Sequence, residues 1–354
     1  MSPVLPVISL ARLRLSSQSS QEKDQLSSLS AALLEHGFFY LSDHGIPQAL
    51  IDTVFQNQAS FFARPNEEKS VGIDRATNLG WTPIQQERLD ESRSTSAGDL
   101  KESFYLGDGL DPAGEGKVQQ LLPPTLERSR TDLQALWQES RRVAIEVLNG
   151  FAKVIGIEND FFTPHHTGGL DRLRLIHYPP APSTLQQSEE GDIRASQHSD
   201  YGSCTLLFQK DVGGLQVKLR ADSSSISGAQ DTRWIDVPPR PGCLVVNVGD
   251  AIEFWTAGRL RSTVHRVRMP LSESEAQSRY SVAFFCQPDA HTTLDPALLQ
   301  QQNQLDGALS TERRATLAHL LEVKGIPLSA DGRPPTGGEY LQARLAATYS
   351  PRGP

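Results

Sequence analysis

Two side chains that bind cations stand one residue apart in the run "ASQHSDYGSCTLLFQ" (195–209): His198 and Asp200. Residues two positions apart on an extended strand share a face, so this imidazole and carboxylate can aim at one point, as two metal ligands must. A third ligand has to come from elsewhere. His265 in "STVHRVR" lies in another β-like run, far enough along for the chain to bring it back. Two imidazoles and one carboxylate suit a transition metal and leave coordination positions open, which is what oxygen chemistry needs. A second pair gives the first its weight. In "SRYSVAFF", Arg279 and Ser281 are again two apart, in the β-run that follows His265. A guanidinium pointing into a β-core is costly unless it meets an anion, and with a hydroxyl beside it the natural anion is a carboxylate. An anionic cosubstrate next to the metal accounts for both pairs.

Short β-runs at roughly ten-residue intervals have to position these groups. "DRLRLIHY", "SCTLLFQ", "GGLQVKL", "RWIDVPP", "GCLVVNVGD", "RSTVHRVR" and "SRYSVAFFCQ" fill residues 171 to 287 and predict a sandwich or barrel. Upstream, "PVISL", "EKDQLSSLSAALLEHG", "FFYLSDHG" and "IPQALIDTVFQNQASFFA" read as strand, helix, strand and helix, with Gly37 stopping the first helix and Pro47 near the start of the second. Residues 66–120 keep no period apart from "LKESFYLG" and form a long excursion, while 125–157 carry the longest amphipathic stripe, through Leu133, Leu136, Trp137, Ala144, Leu148, Phe151 and Ile155. The tail, "STERRATLAHLLEVKG" and "GEYLQARLAATY", returns to helix, with Leu341, Leu345 and Tyr349 on one line. The division expected is 1–120 for the N-terminal region and its substrate-loop excursion, 121–170 for a scaffold helix, 171–290 for the β-core and 291–354 for C-terminal helices, all in one compact unit. The Ser-rich run at 220–233 reads as an exposed loop, and Gly249 as a turn glycine needing open backbone angles.

Taken in order, "HSD", "GGLQV", "VVNVGD", "STVHRV" and "RYS" resemble the isopenicillin N synthase-like Fe(II)/2-oxoglutarate-dependent dioxygenases. The resemblance extends through "PVISL", "HGFFYLSDHGIP" and "GDLKESFYLG" to most of the chain. It implies a mainly β core, a double-stranded β-helix or jelly roll, with flanking helices. It implies Fe(II) on His198, Asp200 and His265, with 2-oxoglutarate as cosubstrate held by Arg279, Ser281 and Tyr178, and O2 as oxidant. The implied reaction releases succinate and CO2 and hydroxylates, desaturates or cyclises a small metabolite. Many members carry Asn two residues before that tyrosine. Here Ile176 stands there, so one hydrogen bond to the cosubstrate is absent or supplied differently.

Strand alternation puts Arg174 on the side of Tyr178, where it is a candidate for an anionic substrate group, and Trp81, Phe104 and Tyr201 are candidate pocket aromatics. Lys101 and Glu102 read as a structural ion pair. A net charge of −8 without a basic run argues against nucleic-acid or anionic-membrane partners. Three separated cysteines suit reduced thiols, and no stretch approaches a membrane span or a signal peptide, so a cytoplasmic monomer or weak dimer is expected. Two alternatives keep the fold: an Fe(II) oxidase working without 2-oxoglutarate, and a metal- or ligand-binding jelly roll without turnover. A hydrolytic zinc site leaves the Arg-x-Ser pair unexplained.

Overall fold

Alternation of apolar and polar residues along short strands builds two sheets that face each other. The computed structural model describes residues 5–14, 19–88, 98–110, 118–180, 193–220, 232–299, 307–326, 328 and 332–349. The strands are β1 (Val7–Ser9), β2 (Phe38–Ser42), β3 (Gly80–Thr82), β4 (Glu102–Leu106), β5 (Arg172–Tyr178) and β6 (Ile193–His198). They continue as β7 (Cys204–Gln209), β8 (Leu215–Arg220), β9 (Thr232–Asp236), β10 (Leu244–Val248), β11 (His265–Arg268) and β12 (Arg279–Cys286). A large sheet runs β1-β2-β10-β7-β12-β5-β4-β3, and a small one runs β6-β11-β8-β9. All described pairings are antiparallel except β1 with β2. This is the expected jelly roll.

The helices are α1 (Leu10–Leu13), α2 (Ser20–Ala31), α3 (Gln48–Phe62), α4 (Asn66–Lys69), α5 (Pro124–Glu127), α6 (Arg130–Ile155), α7 (Asp250–Trp255), α8 (Gly307–Val323) and α9 (Gly337–Tyr349). α2 ends in a wider turn over 32–36 and stops at Gly37, whose φ of +66° is left-handed as expected of a helix terminator. The two faces of the large sheet have different jobs. Leu173, Leu175, Leu206, Phe208, Val282 and Phe284 turn toward α3 and α6 and make the main core, with Trp137 of α6 edge-on to Phe284 at 5.9 Å. The alternate residues, Ile176, Tyr178 and Ala283, turn toward Ala195 and Val267 of the small sheet. α3 also fixes the register where the site will form: buried Gln58 donates to the carbonyls of Ile176 (2.8 Å) and Ser281 (3.0 Å), a cross-strand pair of β5 and β12.

Three elements differ from the sequence reading. β6, "IRASQH", lacks an apolar alternation because it carries Arg194, Ser196 and Gln197. β3 forms inside the excursion by pairing with β4. Gly249 has φ −104°, so it is not there for a special backbone angle; a Cβ on it would lie 2.1 Å from the Gly202 carbonyl oxygen. Close backbone approach is its reason. The Ser-rich run lies outside the described residues over 221–231.

Candidate metal centre and its cavities

β6 ends at His198 and β11 begins at His265, and the antiparallel register sets the two opposite each other, ring centroids 4.3 Å apart. Asp200 follows on the loop that carries the chain from the small sheet to β7. That loop is pinned from behind by the turn into α7, through Asp250 N–H to the Asp200 carbonyl (2.8 Å) and Gly249 N–H to the Ser203 carbonyl (3.0 Å). One ligand atom from each of His198, Asp200 and His265 lies within 4.8 Å of the other two. Asp200 Oδ1 is 3.7 Å from His198 Nε2 and 3.6 Å from His265 Nε2.

The outer partners decide which atoms face inward. His198 Nδ1 meets the Ser196 carbonyl at 2.8 Å and His265 Nδ1 the Thr263 carbonyl at 3.2 Å. A carbonyl only accepts, so each proton sits on Nδ1 and each Nε2 presents a lone pair to the shared point. Asp200 Oδ2 accepts from Thr205 Oγ1 (2.6 Å) and Asn247 Nδ2 (2.7 Å), which leaves Oδ1 for the same point. Burial, aided by the neighbouring His265, pushes His198 down to about 4 and keeps it neutral. Burial opposes the charge on Asp200, but the two imidazoles and the donors Thr205 and Asn247 outweigh it and hold the carboxyl below its usual value. Thr205 and Asn247 are site residues that the sequence reading missed. "VVNVGD" was visible as a motif, but a lone Asn in an apolar strand gives no hint of what it faces.

Between the sheets the triad opens into a cavity. Tyr178, Arg279 and Ser281 line it, as does Ile176. Arg279 is only 1% exposed, and its partners among the described residues are neutral: Ser281 Oγ at 3.3 Å, Gln209 Oε1 at 3.1 Å and the face of Tyr178 at 4.7 Å. Its Nε has no hydrogen-bond partner among the described residues. Burial pulls its pKa below the usual arginine value. A buried guanidinium without a carboxylate is a strong demand for an anion.

A second chamber also reaches His198 and Asp200. Tyr105, Tyr201 and Phe285 wall it, and Leu341 and Leu345 of α9 roof it. The stripe read in the helical tail therefore covers a chamber. Arg174 lines both spaces but is committed to Glu87 (2.5 Å) and Ser103 (2.9 Å) and lies over the Tyr105 ring at 4.5 Å. Glu87, which nothing in the sequence singled out, also takes Tyr105 and Tyr349 hydroxyls. Burial works against its charge, but Arg174 and Lys101 outweigh it and hold its pKa far below normal.

Three expectations need correcting. Phe104 is buried in the main core against Phe61, and Trp81 donates its indole N–H to Glu102 (2.8 Å) under Lys69; neither is in the lining of these two spaces. The register explains the error: Phe104 pairs with Leu175 on the core face, and Tyr105 pairs with Arg174 on the site face. Lys101 and Glu102 do not pair with each other. Successive residues point to opposite faces, so Lys101 reaches Asp99 (2.8 Å) and Glu87 (2.9 Å) while Glu102 takes Lys69 (2.8 Å) and His177 (2.9 Å).

Residues 170–288 match the 2OG-Fe(II) oxygenase superfamily, and residues 5–126 match the family described as non-haem dioxygenase in morphine synthesis N-terminal. The chain is 38% identical over 262 residues to a UPF0676 protein of Schizosaccharomyces pombe, covering 73% of this chain and 76% of the relative. It is 31% identical over 290 residues to the 2-oxoglutarate-dependent dioxygenase htyE of Aspergillus rugulosus, covering 75% and 82%. Among solved structures it is similar to a full-length Neurospora crassa protein crystallised with alpha-KG and thymine, with a TM-score of 0.72 and 27% identity over 98% of this chain and 97% of that one.

Proposed function

Because the chain belongs to the 2OG-Fe(II) oxygenase superfamily, we propose that His198, Asp200 and His265 hold its Fe(II) and that Arg279, Ser281 and Tyr178 hold 2-oxoglutarate. The protein is a non-haem Fe(II)- and 2-oxoglutarate-dependent dioxygenase. One observation carries the assignment of residues: three ligand atoms with fixed orientations and a buried guanidinium without a carboxylate among the described residues line the same cavity. Metal and cosubstrate together supply oxidative decarboxylation to succinate and CO2, with the second oxygen atom going to the organic substrate.

The residues of the chain do the positioning. Thr205 and Asn247 turn Asp200 so that Oδ1 faces the metal point, and the Ser196 and Thr263 carbonyls do the same for the imidazoles. Arg279 and Ser281 take the far carboxylate of the cosubstrate, with Tyr178 beside them. A small organic substrate enters the second chamber, where Tyr201 and Arg174 form part of the wall and α9 keeps water out. Hydroxylation is the reaction proposed, with desaturation or ring closure open to the same site. An oxidase working without 2-oxoglutarate would leave Arg279 buried without its anion, and this favours the cosubstrate.

No helix among the described residues is long and apolar enough to cross a membrane, and Cys204, Cys243 and Cys286 are free thiols. The proposal extends to a monomer or weak dimer in the cytoplasm, which light scattering and fractionation test. For the activity itself, anaerobic addition of Fe(II) and 2-oxoglutarate is expected to give a weak visible charge-transfer band that Asp200→Ala abolishes, and a substrate screen is expected to find compounds that stimulate succinate release. Wild-type protein with no iron affinity overturns the reading.

A further inference from the structure

Ile176 faces the cosubstrate cavity between Tyr178 and Arg174 and offers no hydrogen bond. A carboxylate entering a cavity with mostly apolar walls needs hydrogen-bond donors, and an unmatched oxygen is costly. Arg279, Ser281 and Tyr178 serve the end away from the triad. At the triad end, the donors of Thr205 and Asn247 are spent on Asp200, and Arg174 turns its Nη2 to Glu87 and Ser103. Lys101 is left. It immediately precedes β4, and the register that pairs Glu102 with His177 sets it across from Tyr178 on the cavity face. The side chain is 4% exposed, and among the described residues its ammonium has two partners, Asp99 and Glu87. An ammonium carries three N–H donors, so one remains. Lys101 lines the same cavity as Ile176, Tyr178 and His198.

We propose that Lys101 is a cosubstrate-binding residue, donating its third N–H to the carboxylate at the metal end of 2-oxoglutarate in the place where Ile176 gives none. This rests on the reading of the site given above. Asp99 and Glu87 have a defined part in it. Asp99 accepts from the Ser196 N–H (3.0 Å) and hydroxyl (2.7 Å), so the ammonium is tied to β6 two residues before His198. The two carboxylates keep Lys101 charged despite burial, and its pKa stays above the ordinary value.

The test is an anaerobic titration of the Fe(II)-loaded full chain with 2-oxoglutarate, read by the charge-transfer band, together with a Mn(II) titration read by electron paramagnetic resonance. Lys101→Met is expected to weaken 2-oxoglutarate about 10- to 100-fold, as for loss of one charge-assisted hydrogen bond, and to shift the band. Mn(II) affinity should stay within about threefold of wild type, because Lys101 bonds to Asp99 and Glu87 and to none of the three metal ligands. Adding Ile176→Asn to Lys101→Met is expected to recover part of the lost affinity. If Lys101→Met does not fold with Asp99 left without its cation, Lys101→Met/Asp99→Asn removes one charge of each sign and is titrated instead, with the same expectation. A 2-oxoglutarate affinity within twofold of wild type in the folded variant overturns the assignment, as does a loss matched by an equal loss of Mn(II). Wild-type protein that gives no band with Fe(II) and 2-oxoglutarate refutes the site reading itself, a separate outcome.

Discussion

Arg279→Met separates what a buried charge does for binding from what it costs the fold. Without an anion, the guanidinium is a nearly inaccessible cation whose contacts among the described residues are a hydroxyl, a carboxamide and the Tyr178 ring, with Nε unpaired there. Replacing it with a neutral side chain of similar length forfeits the cation–π contact, worth about 1–2 kcal/mol, and two hydrogen bonds to neutral groups of about 1 kcal/mol each. The same change removes a desolvation penalty of several kcal/mol. The sum predicts a ligand-free protein that is as stable as wild type or more stable by up to about 3 kcal/mol. Binding should move the other way: a buried carboxylate losing its guanidinium costs about 3–4 kcal/mol, so 2-oxoglutarate should bind about 100- to 1,000-fold more weakly. Urea unfolding without ligand measures the first quantity, and the anaerobic 2-oxoglutarate titration measures the second. Saturating cosubstrate at about 100 times its dissociation constant should add about 2.7 kcal/mol to wild-type stability, and the same concentration should add almost nothing to the variant. A variant that is less stable than wild type by more than about 2 kcal/mol and binds 2-oxoglutarate normally would show that Arg279 is a structural residue.

Other changes probe the surroundings of the triad. Asn247→Ala takes one of two donors from Asp200 Oδ2 and is expected to weaken metal binding about 10- to 100-fold at little cost in secondary structure; unchanged Mn(II) affinity would contradict the role given to it. Gly249→Ala drives a Cβ into the Gly202 carbonyl behind the metal loop, so a loss of about 1–3 kcal/mol in urea unfolding is expected, together with weaker metal binding, since Asp250 N–H is bonded to Asp200. Asp171 tests the pH dependence. Burial raises its pKa from 3.8 to about 7 against the opposing hydrogen bond from Gln287 N–H, so the folded chain keeps a proton there that the unfolded chain has lost. This contribution is fully present below the unfolded pKa near 4 and is lost as pH rises through about 7, about 4 kcal/mol in all, of which about 3 kcal/mol goes between pH 5 and pH 8. Unfolding of Asp171→Asn at pH 5 and pH 8 should lack that fall, and parallel pH dependences for the two proteins would rule it out.

What the sequence could reveal follows from how directly spacing maps to geometry. A period of two places His198 with Asp200 and Arg279 with Ser281 on shared faces without any knowledge of the partner strands, and these groups are the ones the fold brings to one cavity. Facing is legible, but register is not. Phe104 and Tyr105 are adjacent aromatics, and only the pairing with Leu175 and Arg174 tells which enters the chamber. For the same reason Lys101 and Glu102 read as partners, although they lie on opposite faces of the sheet. β6 escaped notice because a strand of the small sheet can carry Arg194 and Ser196 inward when Pro179 and Gln277 carbonyls and the Asp99 carboxylate receive them. Glu87 sits in a segment without period, and its importance comes entirely from Arg174, Lys101, Tyr105 and Tyr349 arriving from elsewhere. The Leu341 and Leu345 stripe was legible as a buried face, but the fact that it covers a chamber depends on where α9 docks.

A crystal structure of the chain grown anaerobically with Mn(II), a redox-silent stand-in for Fe(II), and 2-oxoglutarate is the most direct test. The predicted result is one metal ion bound by His198 Nε2, Asp200 Oδ1 and His265 Nε2, with one cosubstrate carboxylate on Arg279 and Ser281. A metal ion held by other residues, or 2-oxoglutarate bound away from Arg279, would contradict the central claim.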